Sequence, residues 1–169
     1  MGAASYDYGG YRLVQCQILA IGQKMPVWAL SACEEYFTRL QRFMKCNLLE
    51  LPSANRTKNA NATQYNDEEG AKLLQKINPT DKVIALDVRG KSFSTPKLAE
   101  HISQWQQEGS KLVFLLGGPD GLAKACLERA NVKWSLSELT FPHTLARVIL
   151  LEQLYRATSL LANHPYHRE

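Results

Sequence analysis

The chain has 169 residues, 45% hydrophobic and 21% charged, which suits one globular domain with a sizeable core and excludes disordered and fibrous classes. The formal net charge of +4 is split evenly between the two halves without a Lys/Arg run, so it permits a polyanionic partner such as RNA without demanding one. No apolar run reaches the roughly 18 residues of a membrane span, and residues 1–11 lack the basic start and apolar centre of a secretory signal. A cytoplasmic protein without a membrane partner is therefore expected.

In chain order, residues 13–21 alternate Val14, Cys16, Ile18 and Ala20 with Gln15, Gln17 and Leu19, which predicts a strand with one face in the core. Cys33, Tyr36, Phe37, Leu40 and Met44 then recur at helical spacing, predicting a helix that begins near Trp28. A second strand is expected over residues 47–51, stopped by Pro52, and then a mobile loop over residues 53–63. Asn66 with Glu69 reads as a helix start, with Ala71, Leu74 and Ile77 on its inner face until Asn78-Pro79. Residues 83–88 form an apolar run suited to a central parallel strand, and Thr95-Pro96 opens a helix that turns Leu98, Ile102 and Trp105 inward.

Residues 111–116 repeat the strand pattern, run into Gly117-Gly118-Pro119-Asp120-Gly121, and precede a helix over residues 122–130. Strands alternating with helices at these lengths predict an α/β fold with a mainly parallel sheet flanked by helices. The segment 132–141 can form a strand or wrap a ligand. A long helix over residues 142–163 is expected to bury Leu145, Val148, Ile149, Tyr155 and Leu161 and to point Arg147, Glu152 and Arg156 away.

The glycine turn sits where open α/β sheets bind ligands, although it also reads as an ordinary strand-to-helix connection. It matches neither G-x-G-x-x-G nor a P-loop, which argues against dinucleotide and NTP chemistry. The terminal stretch brings together His164, Tyr166, His167 and Arg168: proton carriers, a stacking ring and a fixed cation. It can equally be a frayed end. His143 reads as a helix-start residue or a site group. Cys16, Cys33, Cys46 and Cys126 show no C-x-x-C spacing and are expected to be small buried apolar residues, so neither a metal site nor disulfides are expected.

The blocks Ala20-Ile-Gly-Gln-Lys-Met-Pro26, Leu86-Asp87, Gly90-Lys91, Leu116-Gly-Gly-Pro-Asp-Gly-Leu122, Trp134-Ser-Leu-Ser-Glu-Leu-Thr140, Pro142-His143, Arg147 and Asn163-His-Pro-Tyr-His-Arg-Glu169 occur in one order over nearly the whole chain. Taken together they resemble the RlmH family, the large-subunit ribosomal RNA pseudouridine N3-methyltransferases of the SPOUT superfamily. The resemblance implies a C-terminal trefoil knot, which periodicity cannot reveal. It also implies S-adenosylmethionine (SAM) held by Leu86, Gly117, Leu136, Ser137, Glu138, Leu139, Thr140 and Phe141. The catalytic candidates are His143, Tyr166, His167 and Arg168.

The family further implies a homodimer that acts on N3 of a pseudouridine in 23S ribosomal RNA, in the stem-loop facing the decoding centre of assembled ribosomes. A catalytically silent ribosome-binding module and a SPOUT enzyme acting on transfer RNA are the competing readings. Two departures stand out. Residues 1–14 form an extension without a counterpart in the family, leaving residues 15–169 as a single methyltransferase domain, and Asp120 replaces a common Glu.

Overall fold

The computed structural model describes the backbone of residues 13–168 and the side chains of residues 13–166. The expected extension over residues 1–14 therefore lies outside the described residues, apart from Leu13 and Val14. Five strands, β1 (Val14–Ile21), β2 (Met44–Leu51), β3 (Lys82–Ser92), β4 (Leu112–Leu116) and β5 (Val132–Ser135), form one sheet in the order β2-β1-β4-β3-β5. Every neighbouring pair is parallel. The helices are α1 (Val27–Leu40), α2 (Ala62–Leu74), α3 (Thr95–Glu108), α4 (Lys124–Arg129) and α5 (His143–Leu161).

Alternation along the strands sorts the core into two layers. Cys16, Ile18 and Ala20 of β1 join Phe114 and Leu116 beneath α1, α3 and α5. Leu19 and Ile21 join Val113 and Leu115 beneath α2 and α4. Steps from β1 to β2 and from β3 to β4 run one way across the sheet over the first face; steps from β2 to β3 and from β4 to β5 run the other way over the second. All these crossovers thus share one hand, as parallel connections require. The chain leaves the adjacent strands β1 and β4 in opposite directions, which opens a crevice at their carboxyl ends.

Several expectations need correction. Met44 is not on α1 but opens β2, because Met44 and Cys46 face inward while Lys45 and Asn47 face solvent, and Met44 lies in register with Val14. The start of α2 is Asn61, not Asn66: Gln64 donates its backbone N–H to the Asn61 side chain, and the Gln64 side chain accepts from the Asn61 N–H, both at 3.0 Å. The inner face of α2 is Tyr65, Glu69, Gly70 and Leu73, leaving Ala71 exposed.

The loop before α2 is pinned rather than loose, since Ala54 is buried and the Tyr65 hydroxyl donates to the Thr57 carbonyl at 2.6 Å. α4 is shorter than the predicted helix, and β3 continues through Gly90, where a Cβ would lie 2.6 Å from the Lys133 backbone of β5. α5 packs against both α1 and α3, so a single inward stripe does not describe it. Arg147, expected outside, is 2% exposed, whereas Leu161, expected inside, is exposed. All four cysteines are buried. Among the described residues no helix is long and apolar enough to cross a membrane.

Candidate functional site

Beside the middle of β3 and over the carboxyl ends of β4 and β5 lies a cavity of about 530 Å³, within the usual range of small-ligand sites. Leu86, Gly117, Leu136, Ser137, Leu139, Thr140 and Phe141, all predicted as cofactor residues, line it. Glu138 does not: it is solvent-exposed on the turn between Ser137 and Leu139. Sequence reasoning had not assigned Asp87, Val88, Trp134 and Ala146 to the wall, although the Leu86-Asp87 and Trp134 blocks were in view.

The glycine turn is a shaped wall. A Cβ on Gly117 would lie 2.3 Å from the Gly121 carbonyl group, and Gly121 itself has φ +78°, so side chains are excluded from both. Asn66 of α2 donates to the Asp120 carbonyl at 3.0 Å and Arg56 pairs with the Asp120 carboxylate, fixing the outer side of the turn. The opposite wall braces itself: the Ser135 hydroxyl donates to the Ser137 carbonyl at 2.8 Å, and the Leu139 N–H donates to Ser137 Oγ at 3.0 Å. Asp87 accepts from the backbone and guanidinium of Arg89, which holds its carboxyl below the usual carboxylate range. The indole N–H of Trp134 is buried on this wall without a partner.

His143 is the one catalytic candidate that lines the cavity among those whose side chains are described. Burial, then the neighbouring Arg147, depresses its pKa, so the imidazole is neutral near pH 7 and able to accept a proton. Arg147, one turn on, pairs with Glu50 and donates to the carbonyls of Gly22 at 3.0 Å and Ile21 at 3.3 Å. It ties α5 to the ends of β1 and β2.

The tail is elsewhere. α5 ends with Asn163 at φ 54°, the His164 N–H donating to the Ser159 carbonyl at 2.8 Å and the Asn163 N–H to Leu160 at 3.1 Å, a closure that folds the chain back along the helix. The ring of Tyr166 consequently rests 4.4 Å from that of Tyr155, and its hydroxyl donates to Glu152 at 3.2 Å. That is about 18 Å along α5 from His143 at 1.5 Å per residue. Burial together with Tyr36 and Glu152 raises the Tyr166 pKa, which disfavours phenolate chemistry. His167 and Arg168 share the short helical turn of residues Pro165–Arg168; their side chains lie outside the described residues. One chain therefore does not bring His143 and Tyr166 together.

A parallel sheet with a glycine-walled cavity where β4 ends defines a small-ligand-binding α/β protein. Residues 14–167 match the family model described as a predicted SPOUT methyltransferase, and the chain belongs to that family. Within it, the chain is 47% identical over 156 residues to the ribosomal RNA large subunit methyltransferase H of Hahella chejuensis, covering 92% of this chain and 100% of that protein. It is 49% identical over 151 residues to the protein of the same name from Nitrosococcus oceani, covering 89% and 96%. The resemblance read from the sequence blocks thus holds. Two solved structures share the fold. A probable methylase family protein from Haemophilus influenzae has TM-score 0.53 at 15% identity, covering 92% of this chain and 71% of that one. A probable methyltransferase from Bordetella pertussis has TM-score 0.55 at 13% identity, covering 86% and 96%.

Proposed function

We propose that this chain is a SAM-dependent methyltransferase of large-subunit ribosomal RNA, modifying N3 of a pseudouridine in the 23S stem-loop that faces the decoding centre of the assembled, cytoplasmic ribosome. The observation that carries this reading is the cavity, in which Gly117 meets Leu136, Ser137, Leu139, Thr140 and Phe141. The residues fit the co-substrate: a side-chain-free wall for close backbone approach, apolar Leu86, Leu136, Leu139 and Phe141 for an aromatic base, and the hydroxyls of Ser137 and Thr140 for polar edges. The similarity to the large-subunit methyltransferases of Hahella chejuensis and Nitrosococcus oceani supports RNA as acceptor.

SAM supplies an activated methyl group. The protein's own work is then to orient the acceptor and remove its N3 proton, and His143, neutral and on the cavity wall, is the candidate proton acceptor. Tyr166, His167 and Arg168 are assigned to the acceptor: a stacking ring, a polar group and a cation for phosphate or the developing imide anion. Because Tyr166 sits far along α5 from its own cavity, these residues serve the cavity of a second copy, and the enzyme works as a homodimer. Val27, Trp28 and Leu30 leave an apolar surface on α1, with Val27 81% exposed, for such a partner to cover. The trefoil knot belongs to the same reading. It would pass the C-terminal half of the chain through its own loop to form the SAM pocket.

Labelled SAM and ribosomes from a strain lacking the modification test the assignment, with the methyl group mapped by nuclease digestion and mass spectrometry. Label on N3 of that pseudouridine is expected. Label on transfer RNA, or none from a protein that also fails to bind SAM, would sink it.

A further inference from the structure

Glu69 is 2% exposed on the inner face of α2. One carboxylate oxygen, Oε1, accepts the Ala54 N–H at 3.0 Å; the other, Oε2, is fully occluded and has no hydrogen-bond partner. Burying a carboxylate with one oxygen unsatisfied is costly unless a positive group lies close enough to offset it. No Lys, Arg or His forms an ion pair with Glu69 among the described residues. Arg147 pairs with Glu50, Arg56 with Asp120 and Lys72 with Glu68. His143 feels the Glu69 charge but is held neutral by burial.

The free oxygen points at the cavity wall. An ideal Cβ on Gly118 would lie 3.3 Å from Glu69 Oε2 and 3.1 Å from Ile21 Cγ2, so only the bare Gly118 backbone separates the carboxylate from the cavity it lines. The acids of the wall itself, Asp87 and Asp120, have arginine partners in Arg89 and Arg56. The carboxylate oxygen left without a partner at this site is thus set directly behind a glycine.

We infer that Glu69 is a specificity-determining residue, whose buried charge across the Gly118 backbone makes the cavity favour a positively charged ligand over its neutral counterpart. Resting on the reading that the cavity takes SAM, this means discrimination between the sulfonium cation and S-adenosylhomocysteine, which has lost both the methyl group and that charge. The glycine at position 118 is part of the device: a Cβ there would crowd both Ile21 and the carboxylate.

Calorimetric titration of the full chain with SAM and with S-adenosylhomocysteine measures the ratio of the two Kd values. Glu69→Gln is expected to shift that ratio about tenfold against SAM while leaving S-adenosylhomocysteine affinity within about twofold. Glu69→Asp, which keeps the charge, is expected to retain the ratio. Equal weakening of both ligands, or an unchanged ratio, overturns the inference while leaving the SAM reading intact. An unmodified protein that binds neither ligand overturns both. Should Glu69→Gln fail to fold, the unmodified protein still decides: a buried charge is little screened, so the ratio holds within about twofold from low salt to about 0.5 M, and a ratio that collapses with salt overturns the assignment.

Discussion

The two ends of α5 carry arginines of opposite kinds. At the cavity end Arg147 is buried and spends its donors on Glu50 and two strand-end carbonyls, so it fixes where the helix starts. At the far end Arg156 is partly exposed, pairs with Glu152 within its own helix at 2.6 Å, and lies 4.8 Å from the Tyr166 ring centroid. One arginine builds architecture. The other cushions a side chain proposed to act in a neighbouring subunit, where some freedom to move is useful.

The contrast breaks most easily at Arg147. Arg147→Met strands the Glu50 carboxylate and the Ile21 and Gly22 carbonyls, and a loss of about 3 kcal/mol is expected from urea unfolding. Arg156→Met at the partly exposed end is expected to lose less, about 1 kcal/mol. Equal losses would erase the distinction. Next in size is Gly117→Ala, whose methyl meets the Gly121 backbone. A stability loss of about 1–3 kcal/mol is expected, with SAM binding no longer measurable by calorimetry. Retained binding would remove the turn from the cofactor wall.

Where each element meets a single environment, the sequence was legible. β4 is buried at every position and α3 presents Leu98, Ile102 and Trp105 to one layer, so runs and stripes sufficed. α5 is packed on two sides, which spreads its apolar residues round the helix and made Arg147 look like an outward charge. The α2 start was missed because Asn61 caps with Gln64, whereas the Asn66–Glu69 spacing imitates the same motif one turn later. That imitation also hid Glu69, although Tyr65, Glu69 and Leu73 fall four residues apart on one buried face and mark the acid as an intruder in an apolar stripe. The cavity's lining was legible through the family resemblance, which names seven of the residues that line it. The separation of Tyr166 from His143 was not, because it depends on the left-handed turn at Asn163 that folds the tail back.

At the tail the expected effects are smaller. Tyr166→Phe removes the hydroxyl bond to Glu152 and is expected to lose about 1 kcal/mol at most, leaving SAM affinity unchanged while lowering turnover on ribosomes. A parallel loss of SAM affinity would mean that the tail shapes its own cavity after all, and mixed dimers of Tyr166→Phe with an inactive cavity variant would then show no complementation.

The smallest effect comes from His143. Its folded pKa lies below the ordinary 6.5, first through burial and then through Arg147, so the folded state binds fewer protons than the unfolded state between those two values. Stability therefore rises with pH across that window. It is lost as pH falls from 6.5 toward the folded value, below which the penalty is complete. Because the ring is half-buried and partly screened by solvent, the change is expected to be smaller than those above. His101, also depressed by burial, is common to parent and variant and cancels in the comparison. His143→Gln should thus flatten the unfolding free energy relative to the parent as pH falls below about 6.5. A variant that instead steepens it would place the protonated imidazolium in a favourable contact, and would transfer the proton acceptor's role from this cavity wall to the tail.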